Sequence, residues 1–231
     1  MVKKPVIERG WGPEFRRLLT DAKGRGPAFA ASVVVIAGQA WVARGLALRP
    51  VWLLPAVAAL LLLVSVLLDV APGGRADKFA RYAAVALVGV LVIANMASLG
   101  FLVYGIFVGS HLSPLNLLLT GVALWIVNVF VFAIVYWELD GNGPLARPEV
   151  PIARRDLRFP QQESGEEPVG VVWEPGFGDY LYVALTCATA FSPTDEMPYT
   201  GRAKLAMGVE AVMSFSIAAL LVARAVNIAK G

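Results

Sequence analysis

The apolar run from Tyr180 to Phe191 ends after about 12 residues, about 18 Å of helix at 1.5 Å per residue, whereas the hydrocarbon core of a bilayer is about 30 Å thick. It is too short to cross. A polar break, Ser192 to Pro198, follows, and then an apolar run from about Leu205 to Ile228 that is long enough to span. Half-length helix, irregular loop and full-length helix, in that order, describe a re-entrant unit. Irregular backbone at membrane depth leaves amides and carbonyls unpartnered, so it survives only when packed in protein or lining water. The loop therefore points to a water-lined path, or to the relic of one.

Four further apolar stretches precede this unit. They are about Ala28 to Leu48, Val51 to Ala71, Phe79 to Gly109 and Leu115 to Trp137. Arg49-Pro50 separates the first two into a helical hairpin, and Pro72-Gly73-Gly74 turns the chain after it. Tyr136-Trp137 closes the fourth stretch as an aromatic pair of the kind that anchors at an interface. A chain that is 58% hydrophobic and 16% charged, with mean hydropathy +0.67, is too apolar for an ordinary soluble domain. The expected fold is an all-α membrane protein of five transmembrane helices plus one re-entrant helix and loop before the last span.

The expected organisation has three parts: a basic N-terminal tail at 1–26, a three-helix membrane region at 27–111, and a pore-like unit at 112–231. The last divides into an outer helix, an acidic loop at 138–179, a re-entrant helix at 180–191, a filter-like loop at 192–198 and an inner helix at 200–229. Residues 1–26 hold seven basic side chains (Lys3, Lys4, Arg9, Arg16, Arg17, Lys23, Arg25) and no apolar core with a small-residue cleavage site, so no removable signal peptide is read. Pro13 suits the first turn of an interfacial helix; a tail without structure is the other reading.

The single Cys187 excludes an internal disulfide and clustered-cysteine metal sites, and the single His111 leaves little for a histidine metal centre. No metal site, cofactor, catalytic residue or nucleic-acid partner is expected. Gln39, Asn95 and Asn128 are lone polar residues within apolar runs, read as interhelical hydrogen-bonding groups rather than ligand sites. Glu210 falls about 15 Å along the last helix, where a carboxylate is costly in lipid and defaults to a functional hypothesis. Pore lining and helix packing are both open for it. Ser214 with Ala218, and Ala219 with Ala223, provide small-x-x-x-small spacing for close helix approach. Segment 138–179 carries nine acidic residues and four arginines without a sustained period, so it is a loop or cap. An acidic cap concentrates cations at a pore mouth; a solvated loop is the plainer reading.

From Asp179 onward the sequence resembles the pore domain of potassium channels of the pore-loop superfamily. There an apolar pore helix ends in T-T-V-G-Y-G-D, followed by x-x-P-x-T, a short turn and the inner helix. Here Thr189, Ala190, Phe191, Ser192, Pro193, Thr194 and Asp195 occupy the filter position. Asp195-Glu196-Met197-Pro198-Tyr199-Thr200 keeps the D-x-x-P-x-T spacing, and Gly201-Arg202 and Glu210-Ala211 fall where similar residues are common. The chain is also similar along most of its length to a group of bacterial membrane proteins with the A-F-S-P-T-D loop, which implies no activity.

The resemblance implies a homotetrameric, cation-conducting protein of the inner membrane, with lipid, further copies of itself and monovalent cations as its partners. The filter departs from the family, because Ser192 and Thr194 stand where the glycines belong and Pro193 replaces the aromatic residue. Glycines supply the positive φ that a carbonyl ladder needs, so a potassium-selective ladder of the usual form is not expected. Thr189, Ser192, Thr194, Asp195, Glu196 and the negative end of the half-helix remain to hold a partly hydrated cation, or to turn the chain. A non-conducting assembly or sensing protein that kept the fold is the alternative. A carrier or membrane enzyme has only Glu210 in its favour.

Orientation conflicts with the resemblance. Basic residues of the tail and Arg75, Lys78 and Arg81 belong in the cytoplasm by the positive-inside rule, and parity then places the loop before the last span there too. Potassium channels carry it outside. Arg202 and Lys204 agree with a cytoplasmic face, whereas Arg224 and Lys230 pull the other way.

Overall fold

The computed structural model describes residues 25–46, 50, 52–70, 74–108, 113–162, 173–189 and 196–229. Six α-helices are present among them: α1 Gly26–Gly45, α2 Leu53–Val70, α3 Gly74–Val108, α4 Pro114–Leu139, α5 Phe177–Thr189 and α6 Gly201–Ala229. By length and composition four are able to cross a membrane, over Gly26–Gly45, Lys78–Ile106, a stretch beginning at Leu115 in α4, and Gly201–Val226. The apolar part of α2, Leu53–Leu68, is shorter. Helix is the required form here, because it satisfies every backbone amide and carbonyl within one segment.

The centre of the bundle is α4, which packs against α1, α3, α5 and α6. Its start is set locally: Ser113 Oγ accepts from the Asn116 amide at 3.2 Å, and Pro114 takes the first helical position. Three helices run antiparallel to it. On α1, Gly38 lies against Val127 and Gly45 against Thr120. On α3, Arg81 pairs with Glu138 at 2.7 Å and Asn95 donates to Asn128 at 2.6 Å. On α6, Arg202 reaches the Leu139 carbonyl, Ser214 meets Asn128, and Leu221 lies on Gly121. The first turns of α1, α3 and α6 therefore share one face with the last turn of α4, and α2 brings the chain back to that face.

Small residues let the helices approach closely: a Cβ on Gly38 would stand 2.5 Å from Val127 Cγ2, and one on Gly121 would stand 2.6 Å from Leu221 Cδ2. Polar groups bridge the same seams. Gln39 Nε2 donates to the Leu91 carbonyl at 2.8 Å, and Asn95, Asn128 and Ser214 form a continuous chain across α3, α4 and α6. All four side chains are buried.

The chain from Asp140 to Gln162 forms a cap over the end of α4. It consists of 3-10 turns at Asp140–Asn142, Arg147–Glu149, Ile152–Arg154 and Pro160–Gln162, with a two-residue strand β1, Leu157–Arg158. β1 pairs antiparallel with β2, Met197–Pro198, Leu157 opposite Pro198 and Arg158 opposite Met197. The cap bears on two expectations. Tyr136 and Trp137 are fully buried instead of facing an interface, because α6 covers the first and α5 with the cap covers the second. The cap is no solvated loop either, since Asp140, Arg147, Arg155, Asp156, Leu157 and Phe159 are buried in it.

Candidate functional site

The junction of α4, α5, α6 and the cap gathers most of the buried charged side chains among the described residues. α5 begins three residues earlier than expected, at Phe177, because Asp179 Oδ2 accepts from the Gly176 amide at 2.7 Å and caps the first turn. Its buried face is Phe177, Tyr180, Val183, Ala184 and Ala188, turned toward α4 and α6. Trp137 sits edge-on to Phe177 at 5.9 Å and to Tyr180 at 5.5 Å between ring centroids. Such pairs add about 0.5–1.5 kcal/mol each beyond burial. At its other end the Cys187 thiol donates to the Met207 carbonyl, 3.5 Å away and almost two turns into α6.

Two carboxylates organise the cap. Asp140 Oδ1 accepts from the amides of Asp156 and Leu157 at 2.8 and 3.1 Å, and its Oδ2 from the Tyr180 hydroxyl at 2.6 Å. Arg147 lies 3.6 Å from the same carboxylate, donates to the Trp137 carbonyl at 2.5 Å, and rests over the Trp137 and Tyr180 rings at 4.5 and 4.8 Å. A guanidinium buried this way is held by charge, hydrogen bonds and aromatic faces together. Gly141, at φ 57°, makes the turn that permits this; a Cβ there would stand 2.9 Å from Arg147 Cγ.

Asp156 ties the cap to α6. It is fully buried and accepts from Arg202 Nε and Nη2 at 2.5 Å each, from Thr200 Oγ1 at 2.6 Å and from the Gly141 amide at 3.2 Å. Burial alone would push its carboxyl pKa up. The hydrogen bonds from Arg202 and Thr200, with the guanidinium charge, outweigh it and hold the carboxyl below its ordinary range. Arg155 completes the set with a bidentate pair to Glu174, at 2.6 and 2.7 Å.

Deeper along the junction the Tyr136 hydroxyl donates to Glu210 Oε2, with the Cys187 thiol beside them. This trio joins α4, α5 and α6 through one fully buried carboxyl. Glu210 thus faces α4. The outward side of α6 is instead apolar, with Leu205, Val212, Phe215 and Val222 each at least 65% exposed.

Of the residues singled out from sequence, the structure brings Glu210 and Ser214 to the α4 seam, where both are hydrogen-bonded and buried. Glu196 is buried next to β2. Thr189 ends α5 and turns its hydroxyl back to the Leu185 carbonyl at 2.8 Å. Ala190, Phe191, Ser192, Pro193, Thr194 and Asp195 lie outside the described residues. Among the described residues no three His, Cys, Asp or Glu side chains converge as a metal site. Sequence reasoning passed over Tyr136, Asp140, Arg147, Asp156 and Arg202 as a group. Asp156 and Arg202 stand 46 positions apart, and nothing local to either predicts the other. Comparison with protein-family models, with curated proteins and with solved structures gives no match.

Proposed function

We propose that the chain is an integral inner-membrane protein of pore-loop architecture that passes monovalent cations as a homotetramer, with low or non-potassium selectivity. α4 and α6 serve as outer and inner helices, and α5 as a half-length re-entrant helix. The observation that carries this reading is the placement of α5. Its Tyr180 hydroxyl is fastened to Asp140 at the end of α4, and its Cys187 thiol to Met207, inside the length of α6. The chain then returns to pair β2 with β1 in the cap. A thirteen-residue helix held at both depths, followed by a strand back in the cap, supports a re-entrant path. The apolar outward face of α6 suits lipid or a second copy of this chain.

Purified protein reconstituted in liposomes tests the proposal by monovalent-cation flux. Leak above that of empty vesicles is the expected result; none, with protein inserted in either orientation, refutes conduction.

A non-conducting assembly or sensing protein is the second reading, favoured by the cap. The carboxylates in and beside it, Glu138, Asp140, Asp156 and Glu174, are spent on Arg81, Arg147, Arg202 and Arg155 and are not free to concentrate cations. Native mass measurement separates the two: a monomer or dimer in membranes and detergent supports this reading over a tetramer-lined path.

A further inference from the structure

Helix direction decides a question of topology. Because α1, α3 and α6 all run antiparallel to α4, the starts of α1, α3 and α6 and the cap lie on one face of the bundle. Of the 20 Lys and Arg in the chain, all but four lie in sequence before α1, in the first two turns of α3, in the cap or in the first turn of α6. The four are Arg44 in the last turn of α1, Arg49 just after it, and Arg224 and Lys230 at the far end of α6.

The imbalance outlasts a strict count. Arg81, Arg147, Arg155 and Arg202 are neutralised in ion pairs within the protein. Setting these four aside, together with Arg25 and Arg158, still leaves the six Lys and Arg of residues 3–23 with Arg75, Lys78, Arg154 and Lys204, ten against the four at the other end. The loop from 140 to 176 is short enough to count under the positive-inside rule, and its acidic residues carry little weight in that rule.

We infer that the cap face is the cytoplasmic face. The cap and the start of α6 face inward, and the far end of α6 lies outside. That placement inverts the potassium-channel arrangement. The inference rests on helix direction and charge, not on conduction, so it stands or falls separately from the proposed activity.

Two measurements test it. In a Cys187→Ala background, Glu149→Cys places a thiol on an exposed cap position, and Asn116→Cys places one at the exposed opposite end of α4. A membrane-impermeant maleimide applied to intact spheroplasts should label Asn116→Cys, and should label Glu149→Cys only after permeabilisation. The reverse pattern, or equal labelling of both before permeabilisation, overturns the inference. The second measurement leaves every residue of the chain unchanged, so it holds even if the cysteine variants fail to fold. Alkaline phosphatase fused after Gly231 should be active, and green fluorescent protein fused there should lose its fluorescence. A fluorescent fusion with inactive phosphatase overturns the inference as well.

Discussion

Replacing Asp156 by Asn should loosen the cap from α6, and the size of the effect follows from the contacts. The side chain is fully buried and accepts four hydrogen bonds, two of them from one guanidinium. A hydrogen bond to a charged group contributes about 1.5–3 kcal/mol, and an amide left unpaired costs about 1–3 kcal/mol. The Arg202 side chain is 50% exposed, so water takes over part of what the carboxylate supplied. The net loss for Asp156→Asn is therefore about 2–4 kcal/mol, and the coupling to Arg202→Met in a double-mutant cycle is about 1–3 kcal/mol. Unfolding in mixed micelles, followed by a dye reacting with Cys187, provides the assay, because that is the chain's single thiol and it is partly buried in the fold. Glu149→Gln, at an exposed position of the cap, is the control and should change nothing. The pH dependence has a definite sign. Asp156 in the folded protein releases its proton at lower pH than in the unfolded chain. Its contribution is whole above about pH 4 and erodes as pH falls below that. A coupling energy near zero, or an acid profile identical in the wild type and Asp156→Asn, would refute the assignment of the cap to this pair.

Three other perturbations probe the seams of the bundle. Tyr136→Phe removes the hydroxyl donor from buried Glu210 and should cost about 1–3 kcal/mol in the same unfolding assay; adding Glu210→Leu should recover most of it, since the carboxyl is no longer left without its donor and the Cys187 thiol keeps the Met207 carbonyl. Asn128→Leu breaks two interhelical bonds, to Asn95 and Ser214, and is expected to cost about 1–3 kcal/mol at about 0.6–1.7 kcal/mol per bond. Gly38→Ala forces a methyl against Val127 at the α1–α4 crossing and should destabilise by about 1–3 kcal/mol, whereas Gly100→Ala, where a Cβ meets nothing, should be tolerated by the same measurement.

How far the sequence carries depends on the range of the interaction. Helices were legible because hydrocarbon permits few alternatives and the pattern is local: α4 begins and ends within two residues of its apolar run, and α6 begins within one residue of the inner helix expected at 200–229. Asn95, Asn128 and Gln39 were legible as hydrogen-bonding groups, since a lone amide in an apolar run needs a partner. Their actual partners, the Leu91 carbonyl and Ser214, needed helix register across as many as 86 positions. The acidic count of 138–179 misled, because composition does not reveal that Asp140 and Asp156 turn inward to arginines.

By itself the sequence determined that this chain is helical and built for lipid, with one helix too short to cross and most of its positive charge near particular segments. Those properties are sums over neighbouring residues, and lipid solvation reads them locally. Tertiary structure alone decided that α4 is the hub, that Glu210 faces Tyr136, that Asp156 fastens the cap to α6, and that Arg81, Arg147 and Arg202 meet their partners at the end of α4. Each of these depends on helix direction and rotation, which packing of distant surfaces sets.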